Sequence, residues 1–196
     1  WGSAVYAGEV KPGEYVAVVG VGGIGANAVQ GARAAGARAI AAIDPTEFKR
    51  DMAKRFGATH TYDSVESALG DLGSSTWGRG FDVIIMTMGV GDGEVLGQAF
   101  WLGNKRARIV VTNIHPTAEQ SIQIPGSLLT LFEKRLIGTL FGSGHIRYDI
   151  PRLFELYTQG QLNLDDLVTR TYTLDQVNEG YEAMRRGENI RGVILF

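Results

Sequence analysis

The residues with the clearest chemical potential are the glycines of Gly20-x-Gly22-x-x-Gly25 and the carboxylate of Asp44, 19 residues beyond the last of them. The glycines follow an apolar run, Tyr15–Val19, and open a small-residue stretch, 26–35, that stops at Gly36. That order predicts a strand, a tight turn and a helix. Gly20 permits the turn, Gly22 lets the backbone approach a diphosphate with no Cβ in the way, and Gly25 lets the helix pack on the strand. The helix opening offers unpaired N–H groups and the positive end of the dipole, which favour the same diphosphate. Asp44 closes the next apolar run, 37–43, where it would accept hydrogen bonds from adenosine ribose hydroxyls and repel a 2′-phosphate. Together these residues form a dinucleotide fingerprint that favours NAD over NADP. Pro45, Thr46 and Glu47 supply no arginine for a 2′-phosphate, and Lys49 is the first cation that could assist at the ribose. The plainer alternatives are a glycine turn that binds nothing and an acid that caps the next helix.

Other chemistry finds little support. A catalytic zinc needs three protein ligands, yet the chain has no cysteine, and His60, His115 and His145 are 55 and 30 residues apart. No metal site is expected within the chain, and no catalytic residue is assigned. His115 stands out among the three because it follows a central strand, where ligands of open sheets collect. No Gly-x-Ser-x-Gly elbow, His-Glu-x-x-His or P-loop occurs, which removes support for ester hydrolysis, zinc proteolysis and phosphoryl transfer. Ile84, Ile85, Met86 and Met88 read as core strand, and Lys49-Arg50-Asp51 and Arg185-Arg186 as solvated helix faces.

The elements that must position the turn are those of an α/β protein. The 196 residues suit one domain with an appendage, and 44% hydrophobic with 20% charged residues fits a soluble, compact chain. A net charge of -2 with scattered Arg and Lys argues against nucleic acid and anionic membrane as partners. No apolar run approaches the roughly 20 residues of a membrane span, and a cytoplasmic setting is expected. Beyond Asp44 the pattern predicts a helix from Pro45 through Phe56, a short strand at His60–Tyr62 and a brief helix over 65–72. Strands at Phe81–Met86 and 108–112, with a helix over 94–102 between them, complete the series. Strands alternating with helices imply βαβ units and a doubly wound parallel sheet. The tail carries amphipathic helices over 150–157 and 174–184 and a last strand over 192–196. Residues 121–124 (SIQI) could act as an edge strand that pairs with a second copy, giving a homodimer.

Trp1-Gly-Ser-Ala-Val, VVGVGGIGANAVQGA around Gly20, Asp44, FGATH from Phe56, GTLFGS from Gly138 and ENIRGVILF from Glu188 carry a resemblance. On these residues the sequence resembles zinc-type medium-chain alcohol dehydrogenases along its whole length, nearest to the bacterial nicotinoprotein (NDMA-dependent) group. The resemblance implies a Rossmann domain in which Gly20, Gly22, Gly23, Ile24 and Gly25 form the pyrophosphate loop, with Ile24 also behind the nicotinamide. It puts Asp44 and Lys49 at the adenosine ribose. Thr87, Met88, Thr112, Asn113 and Ile114 would line the nicotinamide half, Phe141 would lie near the carboxamide, and Arg191 would reach the pyrophosphate. It further implies that residues 1–142 bind NAD and that 143–196 normally pack with a catalytic domain absent from this sequence. The ligands of catalytic zinc would belong outside this chain, one of them a few residues before Trp1. The expected function is therefore that of a cofactor-binding fragment, inactive alone, of an enzyme oxidising an alcohol with NAD or reducing an aldehyde. A non-catalytic NAD/NADH-sensing module is the main alternative. A methyltransferase is a weaker one, because it has no need for Gly25.

Overall fold

The computed structural model describes residues 1–119 and 121–196. Six strands form one parallel sheet: β1 Tyr15–Val19, β2 Ala39–Ile43, β3 His60–Tyr62, β4 Phe81–Met86, β5 Gly103–Val111 and β6 Arg135–Gly138. Their order is β3-β2-β1-β4-β5-β6, every neighbouring pair parallel. This is the doubly wound sheet expected from the sequence. The order reverses between β1 and β4, and in such sheets ligands collect beyond the strand ends at that point.

Parallel strands need crossovers, and the helices supply them: α1 Gly23–Ala34, α2 Glu47–Phe56, α3 Val65–Gly70, α4 Leu72–Thr76 and α5 Gly93–Leu102, with α6 Gly126–Leu131 ahead of β6. Both sheet faces are covered, which is why β1 and β2 lack polar alternation. On one face Val16, Val18, Ile40, Ala42, Val83 and Ile85 pack with Ala28, Val29, Ala32, Ala53 and Phe56 of α1 and α2. On the other, Ala17, Val19, Ala41, Ile84, Met86 and Ile109 pack with Val65, Ala68, Leu96, Ala99 and Phe100.

Several boundaries differ from the sequence pattern. Helix α1 begins inside the glycine motif, because only backbone conformation is needed there. The single brief helix expected over 65–72 is split at Asp71 into α3 and α4, in a stretch where Gly70 and Gly73 lower helix propensity. Strand β5 starts at Gly103, earlier than its apolar run, and its pairing with β4 shifts register near Phe81. Strand β6, only four residues and half exposed, has no clear signature in the sequence. Residues 121–124 form no strand within the single chain; β6 ends the sheet on that side.

The tail comprises α7 Ile146–Thr158, β7 Val168–Thr173, α8 Val177–Arg185 and β8 Arg191–Leu195, with β7 and β8 paired as a separate two-stranded parallel sheet. It is docked onto α1. The buried Gln30 amide donates to the Asn163 carbonyl at 2.9 Å, and its oxygen accepts the Asn163 N–H at 2.7 Å. Leu167 and Ile190 are buried in the same apolar cluster as α1. This docking brings the first residue of β8, Arg191, to the β1–α1 turn. The far side of the tail leaves Leu174, Tyr181, Met184, Leu195 and Phe196 exposed.

Candidate functional site

At the end of β1 the chain turns through Gly20, whose φ is +88°, a region L side chains rarely occupy. A Cβ on Gly20 would lie 2.7 Å from the Met88 nitrogen, so the turn sits directly against the residues that follow β4. A Cβ on Gly25 would lie 1.9 Å from the Gly20 carbonyl oxygen and 2.8 Å from Thr87 Oγ1. The buried Thr87 hydroxyl donates to that same carbonyl, joining β1, β4 and α1 at one corner. Gly22 is different: a Cβ there would meet nothing within 4 Å. The corner is closed behind Gly20 and Gly25 and open in front of Gly22.

Helix α1 starts at Gly23 with no side-chain cap and no acid in its first turn. Its first N–H groups lack the usual side-chain acceptor. The Arg191 guanidinium lies against this end, since a Cβ on Gly23 would be 2.2 Å from Arg191 Nε. Arg191 joins none of the ion pairs among the described residues. A helix dipole and a free guanidinium thus converge on one open backbone position, an arrangement suited to a diphosphate.

Asp44, at the end of β2, is 5% exposed. Its Oδ2 accepts the Val21 N–H at 3.0 Å and its Oδ1 accepts the Thr46 N–H at 2.9 Å. A carboxylate has about four acceptor positions, so each oxygen keeps capacity for a ribose hydroxyl. Lys49 Nζ lies beside Thr46, 3.5 Å from where a Cβ on Gly187 would stand, with Thr46 Oγ1 at 3.2 Å from the same point. The cation beside Asp44 is Arg50, whose Nη1 donates to the Asp44 carbonyl at 2.7 Å and the Pro45 carbonyl at 2.9 Å. In the sequence Arg50 reads as part of a solvated helix face; its place six residues beyond Asp44, in the first turn of α2, is the signal that points to it. Arg50 also lines a polar cleft of about 410 Å³ with Tyr62 and Asp63 at the end of β3.

Beyond β4 and β5 stand the residues that the resemblance assigns to the nicotinamide half. Thr87 and Met88 are at the corner itself. The Thr112 hydroxyl donates to Ser3 Oγ at 3.0 Å, a pairing across 109 residues that carries no local signature. Both amide atoms of Asn113 are buried without a hydrogen-bond partner, while Ile114 is 76% exposed. Ile24 is half exposed at the head of α1. Phe141 has φ +51° and an exposed ring. Its neighbour Gly142 packs on Ser3, which links it to Thr112.

The three histidines do not converge. His60 Nδ1 lies 2.9 Å from Thr59 Oγ1, and the His145 N–H donates to Asp149. His115 Nδ1 lies 2.8 Å from Glu119 Oε2. Among the described residues no group of three or more His, Asp or Glu side chains could hold a metal ion.

A family model described as zinc-binding dehydrogenase matches residues 23–159. The chain belongs to the zinc-binding dehydrogenase family. The chain is 46% identical over 195 residues to the putative alcohol dehydrogenase D of Mycobacterium tuberculosis. It is 45% identical over 195 residues to the NDMA-dependent alcohol dehydrogenase of Amycolatopsis methanolica. In both cases the alignment covers 100% of this chain and 53% of the relative. Benzyl alcohol dehydrogenase from Acinetobacter calcoaceticus has a similar crystal structure, with TM-score 0.90 at 28% identity over 98% of this chain and 52% of that one. The chain therefore spans about half the length of these relatives and matches the nucleotide-binding half of full-length zinc-type alcohol dehydrogenases. No helix among the described residues is long and apolar enough to cross a membrane.

Proposed function

We propose that this chain is the NAD-binding half of an alcohol dehydrogenase. The observation that carries the reading is the free Arg191 guanidinium against the uncapped start of α1. The buried Asp44 carboxylate holds the other side of the same glycine turn through the Val21 N–H. A cation and an anion on opposite sides of one corner match a diphosphate joined to a ribose. Gly22 leaves space for the phosphates, Gly23, Ile24 and Arg191 hold them, and Asp44 binds the ribose hydroxyls. The Asp44 charge disfavours a 2′-phosphate, so NAD is preferred to NADP. Ile24, Thr87, Met88, Thr112, Asn113, Ile114 and Phe141 orient the nicotinamide ring and keep water from it. Bound NAD supplies the hydride-accepting ring for oxidation of an alcohol.

The residues of this chain do not fit a catalytic zinc, since the sequence has no cysteine and the histidines are dispersed. Any zinc ligands belong to a catalytic domain outside this chain. Residues 143–196 pack with that domain through the exposed apolar side of the tail, and residues 1–142 form the NAD-binding domain. Pairing of 121–124 with a second copy would join two sheets in a homodimer, and a cytoplasmic setting suits NAD-linked chemistry. A non-catalytic NAD/NADH sensor would share the glycine corner, but the relation to alcohol dehydrogenases along the whole chain favours the enzyme.

Isothermal titration with NAD, NADP, AMP and S-adenosylmethionine tests the reading. NAD is expected to bind most tightly, NADP more weakly, and S-adenosylmethionine not at all. Binding of S-adenosylmethionine in preference to NAD would overturn it.

A further inference from the structure

We propose that His115 and Glu119 form a clasp that positions the nicotinamide end of the site without acting on the adenosine end. The proposal rests on the NAD reading above. The His115 ring lies directly against Gly91, where a Cβ would be 2.3 Å from Cδ2 and 2.5 Å from Cγ. Its Nδ1 meets Glu119 Oε2 at 2.8 Å. The second carboxylate oxygen, Oε1, accepts the Gly93 N–H at 3.0 Å. The Gly91 N–H donates to the Ile114 carbonyl at 2.8 Å, and the Glu119 N–H closes the intervening turn on the Pro116 carbonyl at 2.9 Å. The segment after β5 is thereby stitched to the segment after β4. Asp92, the carboxylate between the two glycines, is turned away to the N–H groups of Glu94 and Val95 at the head of α5.

The side-chain requirements are unusual for an ordinary loop. A Cβ on Gly91 would displace the imidazole, and one on Gly93 would come within 2.6 Å of Glu119 Oε1 and push that carboxylate aside. The stitched segments carry Thr87 and Met88 on one side and Thr112, Asn113 and Ile114 on the other. The clasp fixes the backbone on which Ile114 stands exposed, so that the nicotinamide meets a surface already ordered. A loop that must be ordered on binding loses conformational entropy that a held loop does not. The Asp44 and Val21 contacts lie across β1 from this loop and do not depend on it.

The test compares NAD with ADP-ribose, which lacks the nicotinamide ring, in the wild type and in Glu119→Ala, Gly91→Ala and Glu119→Gln. Breaking the clasp by Glu119→Ala, or displacing the ring by Gly91→Ala, should weaken NAD about tenfold, the scale of one charge-assisted hydrogen bond. ADP-ribose affinity should stay within about twofold, which is within the scatter of a neutral substitution. Glu119→Gln keeps an acceptor for Gly93 and gains a donor for His115, so it should restore NAD affinity. Equal losses for both ligands, or NAD affinity unchanged in both disrupting variants, would overturn the clasp while leaving the NAD reading intact. A wild type that binds neither ligand would overturn the NAD reading and the clasp with it.

Discussion

Two alanine substitutions in one glycine turn should have opposite effects on stability and thereby separate folding from binding. At Gly25 the methyl group would lie 1.9 Å from the Gly20 carbonyl oxygen, whereas ordinary contact begins near 3.4 Å. Helix α1 must retreat by about 1.5 Å, and overpacking of this kind costs about 1 to 3 kcal/mol or more. At roughly 2 to 4 °C per kcal/mol for a chain of this size, Gly25→Ala should lower Tm by about 2 to 12 °C. At Gly22 the backbone is extended, with φ -72° and ψ -160°, and a methyl group meets no neighbour within 4 Å. Gly22→Ala should leave Tm unchanged or raise it, because a Gly to Ala change at a compatible conformation stabilises by about 0.4 to 1 kcal/mol. The same methyl group would occupy the space through which the diphosphate approaches the α1 N–H groups. Losing one such charge-assisted hydrogen bond, about 1.5 to 3 kcal/mol, corresponds to roughly ten- to hundredfold weaker NAD binding. Thermal denaturation without nucleotide and titration calorimetry with NAD measure the two quantities. Wild-type NAD affinity in Gly22→Ala, or an unchanged Tm in Gly25→Ala, would refute the reasoning.

Three further outcomes follow from the same geometry. Asp44→Asn must turn its NH2 toward either the Val21 or the Thr46 N–H, losing an acceptor at a buried site. That should cost about 1 to 3 kcal/mol in stability and also narrow the preference for NAD over NADP; an unchanged affinity ratio in parallel titrations would contradict it. Arg191→Met should weaken NAD by about tenfold or more while leaving adenosine binding alone, because the guanidinium lies against the start of α1, where the proposed diphosphate would sit; equal losses for both ligands would speak for general loosening. Lys134 is buried, with its Nζ donating to the Phe100 carbonyl at 2.7 Å and no carboxylate paired with it among the described residues, and burial lowers its pKa below the ordinary 10.5. The folded state therefore sheds this proton before the unfolded chain does, and the contribution of Lys134 to stability rises with pH from the lowered value up to 10.5. Denaturation curves for wild type and Lys134→Met should show that rise as a shrinking difference in favour of the variant. The comparison cancels Tyr6 and Tyr62, whose raised values act in the opposite direction.

The sequence was most legible where a residue type is required by backbone geometry or by burial on two faces. Gly20 at φ +88°, Gly25 against a carbonyl oxygen and Asp44 at the end of an all-buried strand are local demands, and each leaves a mark on a single short stretch. The same holds for β1 and β2, whose unbroken apolar runs announce a sheet covered on both sides, and for β4, interrupted only by Asp82. Marginal elements left no such mark. The four residues of β6 gain their strand character from pairing with β5, and the register shift beside Phe81 depends on that neighbour too.

What lay beyond the sequence was which side chains meet across long intervals of chain. The glycine spacing marked the turn at the head of α1, but the structure decided which cation stands there. Arg191 reaches Gly23 because Gln30 and Asn163 lock the tail to α1, a contact between residues with no periodic signature. Arg50 reaches the Asp44 carbonyl because the start of α2 directs its side chain back to the end of β2. His115 and Glu119 become a clasp only because β4 and β5 are adjacent in the sheet and Gly91 and Gly93 follow β4. The physical reason is common to all three: local conformation is encoded in neighbouring residues, whereas a long-range contact arises from how whole elements pack.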